Sequence, residues 1–350
     1  MIESTRVTAA PARSRVEGSR RSRIRRRRRR RIIVAVAVVA VLLASAVGGY
    51  LFALAGAYQD NVTAIPDAFP DESLRPQVID GPAADAMNIL LVGSDTRAEL
   101  GSSNVDEVRN SLADVIMVAH ISADRQNVHV MSIPRDTWVE QPSGSMGKIN
   151  WSFGSGGAAG LVQTVEKLID ARIDHVAAID FEGFKGMTDA LGGVTVNNTI
   201  EWQRRGEYFG IGPVELNGER ALMYVRERKL TGNDFNRAQQ QQEFLRAVLK
   251  KTLSGQTLAD PGKVYGLVSA ISPFLAVDGG LTAPVIVGLA TELRDLRASD
   301  VQFFTMPNSG ASFVGDQAVV LVDDPTRALV AESFRGDDVA SLAEAVQKSS

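Results

Sequence analysis

Arg226 and Arg228 stand two apart, and Arg237 and Gln241 four apart, within the single stretch from Tyr224 to Gln241. Side chains two apart share a face of an extended segment and side chains four apart share a face of a helix, so the stretch reads as an extended turn running into a helix. A planar guanidinium grips phosphate oxygens two at a time, and several forked cations at one junction suit phosphate. The alternative is a solvated basic helix start. Asp234 stands at the expected beginning of that helix, where a carboxylate caps free amides or orients an arginine; beside three arginines it could instead accept a proton from an incoming hydroxyl.

Further groups of the same kind lie upstream. The apolar run Asn88 to Val92 leads into Gly93-Ser-Asp-Thr-Arg97, which puts Asp95 past the carboxyl end of a strand, where open α/β sheets commonly place ligands. Asp114 precedes a second strand, taken to begin at Val115. Two carboxylates beside a phosphate site suit a magnesium ion, and turn capping by aspartate is the equal alternative. After the run Val128 to Ile133, Pro134 fixes a turn and launches Arg135, with Asp136 as its expected orienting partner. Lys148, in a Gly/Ser-rich region before a helical run starting near Ala158, adds a further cation to the same edge or is an exposed loop lysine. Trp151, Phe153 and the apolar helical runs 161–169 and 184–191 either wall an apolar groove or pack into the core.

The elements that must hold these groups follow from apolar periodicity. Strand-length runs (88–92, 115–121, 128–133, 176–179, 194–196, 301–304) alternate with helix-length patterns (158–169, 181–191, 218–225, 233–253, 263–274, 284–296). This pattern predicts one α/β domain with a central mixed β-sheet covered by helices on both faces, a three-layer α-β-α arrangement. The last dozen residues read as a frayed tail.

Composition narrows the chemistry. The 350 residues carry a net charge of −3, but residues 1–31 hold thirteen arginines against Glu3 and Glu17, a balance of +11, so the rest of the chain carries −14. An acidic body argues against nucleic-acid binding. There is no cysteine, which excludes disulfides, thiolate metal sites and cysteine nucleophiles. The three histidines, His120, His129 and His175, each lie in or beside an apolar alternating run and read as strand-packing residues rather than ligands. No Gly-Lys-Ser/Thr phosphate loop is present, so no ATP site is expected.

From Ile32 to Ala57 no charged residue occurs, and 26 such residues at a rise of about 1.5 Å each more than span a roughly 30 Å hydrocarbon core. The seven arginines Arg25 to Arg31 precede it directly, which predicts a cytoplasmic N-terminus and an uncleaved signal-anchor rather than a removed signal peptide. The expected organisation is a basic tail (1–31), a transmembrane anchor (32–57), a proline-bearing linker or strands hugging the domain (58–86), and an extracytoplasmic catalytic domain (87–340).

The sequence resembles the LytR-CpsA-Psr enzymes of Gram-positive cell envelopes. The matching pieces, in the family's order, are 90–97 (LLVGSDTR), 113–121 (ADVIMVAHI), 132–136 (SIPRD), 148–150 (KIN), 179–184 (IDFEGF), 189–194 (DALGGV), 216–219 (LNGE) and 224–241. The resemblance implies a phosphotransferase that moves a glycopolymer from a polyprenyl-pyrophosphate carrier to a muramic acid hydroxyl of peptidoglycan, forming a phosphodiester at the outer face of the cytoplasmic membrane. It implies that Asp95 and Asp114 hold Mg²⁺, or Mn²⁺ in its place. Arg135, Arg226, Arg228 and Arg237, with Gln241, would clamp the pyrophosphate, supported by Arg97, Arg109 and Lys148. The prenyl tail would enter an apolar cleft between sheet and helices. One departure stands out: Leu112 occupies the position two before the second acid where the family usually has arginine, and Arg109 is the nearest arginine. The alternatives to transfer are a polyprenyl-pyrophosphate pyrophosphatase and a non-catalytic lipid-binding or regulatory envelope protein.

Overall fold

The computed structural model describes residues 45, 47–78, 80–94, 113–227, 234–252 and 260–349, with side chains left out at 82, 234–237 and 349. Two compact units divide the chain, Met1–Leu54 and Ala55–Ser350. Of the first, residues 47–54 are helical; the remainder of the basic tail and most of the apolar segment lie outside the described residues. Among the described residues no helix is long and apolar enough to cross a membrane.

The second unit is built on a mixed seven-stranded sheet in the order β1-β12-β7-β2-β3-β4-β13. Its strands are β1 (Thr63–Ile65), β2 (Met87–Ser94), β3 (Ala113–Ile121), β4 (Val128–Ile133), β7 (His175–Ile179), β12 (Leu275–Asp278) and β13 (Val301–Thr305). β2 runs antiparallel to β3 and parallel to β7, while β4 runs antiparallel to β3 and parallel to β13. The carboxyl ends of β7, β2 and β4 and the start of β3 therefore meet at one edge. At that edge β2 and β3 approach closely: a Cβ built on Gly93 would lie 2.9 Å from Val115 Cβ, so any side chain there would spread the two strands.

Strand alternation sends buried residues to both faces. On one face Leu90, Val92, Ile116, Val118 and Met131 pack beneath α1 (Ile149–Ile169) and the C-terminal helices, α7 (Asp324–Arg335) and α8 (Val339–Ser349). On the other face Leu91, Met117, Ala119 and Val130 meet α4 (Asp234–Thr252) and α6 (Ala283–Glu292). The expected three-layer arrangement is observed. A satellite core joins two small antiparallel pairs, β8 (Val194–Asn198) with β11 (Gly212–Leu216) and β9 (Trp202–Arg204) with β10 (Glu207–Phe209). It also takes in α2 (Phe181–Ala190) and α3 (Gly218–Val225). The remaining elements are the hairpins β5 (Trp138–Glu140) with β6 (Met146–Lys148) and β14 (Gly310–Val314) with β15 (Gln317–Leu321), and helix α5 (Pro261–Ile271).

Two expectations are corrected. The helix expected near Ala158 starts nine residues earlier, at Ile149, and breaks at Gly157, whose φ 60°, ψ −150° only glycine adopts without strain. The last dozen residues are no frayed tail: Val339, Leu342 and Ala343 are buried at helical spacing and Val346 packs beside them.

Residues 58–86 lie against the domain. Tyr58 is buried and its hydroxyl donates to Leu281 O at 2.9 Å, β1 pairs with β12, and Arg172 reaches Glu72 at 2.6 Å. Arg75 reaches the buried Glu166 at 2.6 Å. All three histidines occupy strands: His120 sits between Asn88 and Asp337 at 2.8 Å each, and His175 lies 3.2 Å from Asp278. Burial pushes the pKa of His120 and His129 down, and the Asp337 carboxylate opposes the shift in both.

Candidate functional site

The edge site is assembled by a short turn after β4. Thr137 N–H and its hydroxyl both donate to Pro134 O, at 3.0 and 2.6 Å, which closes the turn around Arg135 and Asp136. The carbonyls of the turn are then taken from outside: Asn150 N donates to Arg135 O, Val320 N to Asp136 O and Ile149 N to Thr137 O, at 3.2, 2.9 and 2.8 Å. The first amides of α1 are among those that helices leave unsatisfied, and here they fix the turn that launches Arg135. A backbone held on three sides gives its side chains a defined starting direction.

Four charged groups form a chain across this edge. Arg135 Nη1 donates to Asp114 Oδ1 at 2.7 Å, Arg135 Nε stands 3.6 Å from Asp136 Oδ2, and Lys148 Nζ lies 3.0 Å from Asp136 Oδ1. The expectation that Asp136 orients Arg135 is thus modified: Asp114 takes the hydrogen bond, and Asp136 chiefly holds Lys148. Among the described residues Arg135 Nε has no hydrogen-bond partner although it is buried. Asp114 itself is the second residue of β3, since that strand begins at Ala113 rather than at Val115.

Arg226 does not lie in an extended segment. It caps α3 at φ −102°, ψ 0°, and its guanidinium sits 4.3 Å from the centroid of the Phe181 ring. Cation–π contact of this kind holds an arginine without consuming its donors. Phe181 opens α2 directly beyond β7, so Arg226 reaches the same edge as Arg135. Arg237 and Gln241 both fall in α4, four apart as expected, and Gln241 Nε2 contacts Val225 O at 3.5 Å. Asp95, Arg97, Arg109, Leu112 and Arg228 lie outside the described residues, as do the side chains of Asp234 and Arg237.

Behind this edge lies a cavity of about 220 Å³ between the sheet and the helices α2, α3 and α4. Leu91, Val115 and Met117 form its floor, and Phe184, Met187, Leu222, Val225, Phe244 and Leu245 its walls. It reaches the charged edge through Gly93, Phe181 and Val115, the neighbour of Asp114. The groove residues expected from sequence divide between the two faces. Phe184 and Met187 line this cavity, whereas Phe153, Leu161, Val165 and Ile169 are buried in the opposite core, and Trp151 is exposed. Phe181 is the residue that sequence reasoning missed. Its signal was there, an aromatic two residues past a strand end, but only the fold shows that it faces Arg226.

The LytR_cpsA_psr family model matches residues 57–331. The chain belongs to that family. The cell wall biosynthesis protein LcpA of Corynebacterium glutamicum is 32% identical over 286 residues, covering 70% of this chain and 55% of LcpA. The Bacillus subtilis polyisoprenyl-teichoic acid–peptidoglycan teichoic acid transferase TagU is 30% identical over 229 residues, covering 65% of this chain and 72% of TagU. The matched region thus spans little more than half of LcpA. Among solved structures, Bacillus subtilis TagV superposes with a TM-score of 0.62 at 24% identity, covering 73% of this chain and 98% of TagV. The LytR-Csp2A-Psr enzyme of Actinomyces oris gives 0.60 at 18%, covering 78% and 96%. At these identities the superpositions establish the fold.

Proposed function

We propose that this family member is a glycopolymer phosphotransferase of the cell envelope, anchored by residues 32–57 with its body outside the cytoplasmic membrane. The donor is a glycopolymer on a polyprenyl pyrophosphate, and the acceptor is a muramic acid hydroxyl of peptidoglycan. The observation that carries this reading is the continuity of the apolar cavity with the Asp114–Arg135 edge and Arg226. A hydrocarbon tail and a doubly charged head require those two environments side by side. The name of a relative supports it: TagU is called a polyisoprenyl-teichoic acid–peptidoglycan teichoic acid transferase.

The reaction is a displacement at the sugar-linked phosphorus. The acceptor oxygen forms a new P–O bond, the bond to the bridging oxygen breaks, and prenyl phosphate leaves with that electron pair; the acceptor proton passes to a base. Such transfers need charge stabilisation and in-line placement more than covalent help. Arg135 and Arg226 would hold the pyrophosphate oxygens, joined by Arg228, Arg237 and Gln241, with Arg97, Arg109 and Lys148 around them. Asp234 is proposed as the proton acceptor. The oxygen donor of Asp114 fits a hard cation, so Asp114 and Asp95 would hold Mg²⁺ or Mn²⁺. When bound, that ion neutralises charge on the pyrophosphate.

The test is reconstitution: full-length chain, polyprenyl-pyrophosphate saccharide, peptidoglycan glycan and Mg²⁺. Covalent attachment of saccharide to glycan is expected, and the absence of any adduct contradicts the proposal. The cavity makes a second prediction. Leu222→Trp narrows the tail site and is expected to raise the KM for the lipid donor about tenfold with kcat nearly unchanged, because tail binding is shared by ground and transition states. Steady-state kinetics with varied donor checks it; an unchanged KM would remove the cavity from the account.

A further inference from the structure

Beside the charged edge, on the side away from the cavity, two of the chain's three tryptophans lie together. Trp151 is in the first turn of α1 and 38% exposed, and its ring meets that of Trp138 edge-on, with centroids 6.1 Å apart at 76°. It is also seated from below. A Cβ built on Gly147 would stand 2.8 Å from Trp151 Cε3, so the glycine is what lets the indole lie against β6. The third, Trp202, is buried and stacked on Phe209 in the satellite core. Core packing therefore explains Trp202 and leaves Trp151 as a fixed indole open to solvent.

Register ties this pair to the reacting edge. Trp138 faces Lys148 across the β5–β6 hairpin, and Lys148 holds Asp136, the neighbour of Arg135. We propose that Trp151, braced edge-on by Trp138, forms a shelf that seats one pyranose ring of the acceptor glycan. The axial C–H bonds of a sugar ring carry partial positive charge and suit the negative face of an indole, while its hydroxyls need polar groups at the rim. Ser155, exposed one helical turn beyond Trp151, supplies such a group.

This inference rests on the transfer reading and specifies its acceptor side. Attacking and leaving oxygens must lie roughly in line. The cavity that would take the prenyl leaving group is bounded by α2, α3 and α4 on one face of the sheet, whereas the shelf belongs to α1, which covers the other. A sugar on the shelf thus approaches from opposite the leaving group, which marks it as acceptor rather than donor.

The test is direct binding, measured by calorimetry on the full chain in detergent. A soluble tetrasaccharide of alternating N-acetylglucosamine and N-acetylmuramic acid is expected to bind, and Trp151→Ala to weaken it about tenfold while Trp151→Phe retains most of the affinity. In parallel, UDP-N-acetylglucosamine, a sugar already joined to pyrophosphate, is expected to bind with an affinity indifferent to Trp151. Equal tetrasaccharide affinity in all three proteins overturns the shelf. Trp151 dependence for the sugar diphosphate alone makes it a donor site and overturns the acceptor assignment, and Trp151-dependent binding to phospholipid vesicles without saccharide binding makes it a membrane contact. The two readings fail separately. Saccharide binding that needs Trp151 in a protein without transfer activity removes only the transfer reading; transfer in a protein whose acceptor KM ignores Trp151→Ala removes only the shelf.

Discussion

Arg135→Ala is expected to lower single-turnover transfer by about 10²–10³-fold, the cost typical of removing one preorganised donor from a developing negative charge. Arg135 is the described residue in which the requirements of the site converge: it sits in a turn held by three outside hydrogen bonds, one of them to its own carbonyl, and its side chain is oriented by Asp114 at 2.7 Å with Asp136 at 3.6 Å. Arg135→Lys keeps the charge but loses the planar fork, so it should recover only part of the rate. Arg135→Ala should also cost some stability, about 1–3 kcal/mol, because the pair with Asp114 is mostly buried, with side chains about a fifth accessible. A rate within threefold of wild type for Arg135→Ala, in a protein that remains folded, would remove Arg135 from the chemistry.

Arg75→Ala has the largest expected effect on folding. Glu166, in the last turn of α1, is 1% exposed, and Arg75 reaches it from the segment that precedes the domain, with Nη2 and Nε at 2.6 and 3.0 Å. Ile173 N donates to the same carboxylate at 2.9 Å, and Arg75 Nη2 also donates to Ile173 O. Removing the arginine strands a buried carboxylate, which typically costs about 3–5 kcal/mol. Urea unfolding should show the loss as a lower midpoint. Replacing both partners by methionine should return part of the stability, because an apolar pair leaves no buried charge uncompensated, although Ile173 N and O lose the partners that Glu166 and Arg75 supply. Destabilisation of the double variant equal to that of Arg75→Ala would contradict the electrostatic explanation. The pair also fixes the segment that leads from the proposed anchor, so its loss should loosen the entry to the domain before the sheet.

Those two sites differ in how far the sequence revealed them. Arg135 was legible because Pro134 after an unbroken apolar strand announces a turn at a sheet edge, and β4 and α3 fall at the expected positions, 128–133 and 218–225. The partnership of Arg75 with Glu166 was not, since it joins residues 91 apart and neither position carries a local pattern. The same reason hides β1: three residues become a strand only by pairing with β12, more than two hundred residues later. Helix α8 carries a helical apolar spacing at Val339, Leu342, Ala343 and Val346, and only its place at the end of the sequence made it read as a tail. Spacing alone also could not tell which acid Arg135 would choose, nor on which side of the sheet an aromatic would fall. Phe153 and Phe184 look alike in sequence, and the sheet separates them into a packed core and an open cavity.

The most direct test follows the phosphorus. A donor isotopically labelled at the sugar-proximal phosphorus, given to the full-length protein with Mg²⁺ and peptidoglycan glycan, separates transfer from its alternatives in one product analysis. Attack by a muramic acid hydroxyl places the label in a phosphodiester on the glycan and releases unlabelled prenyl monophosphate in equal amount. Label appearing in a free sugar phosphate, whether or not glycan is present, would mean that water is the acceptor and would contradict the account.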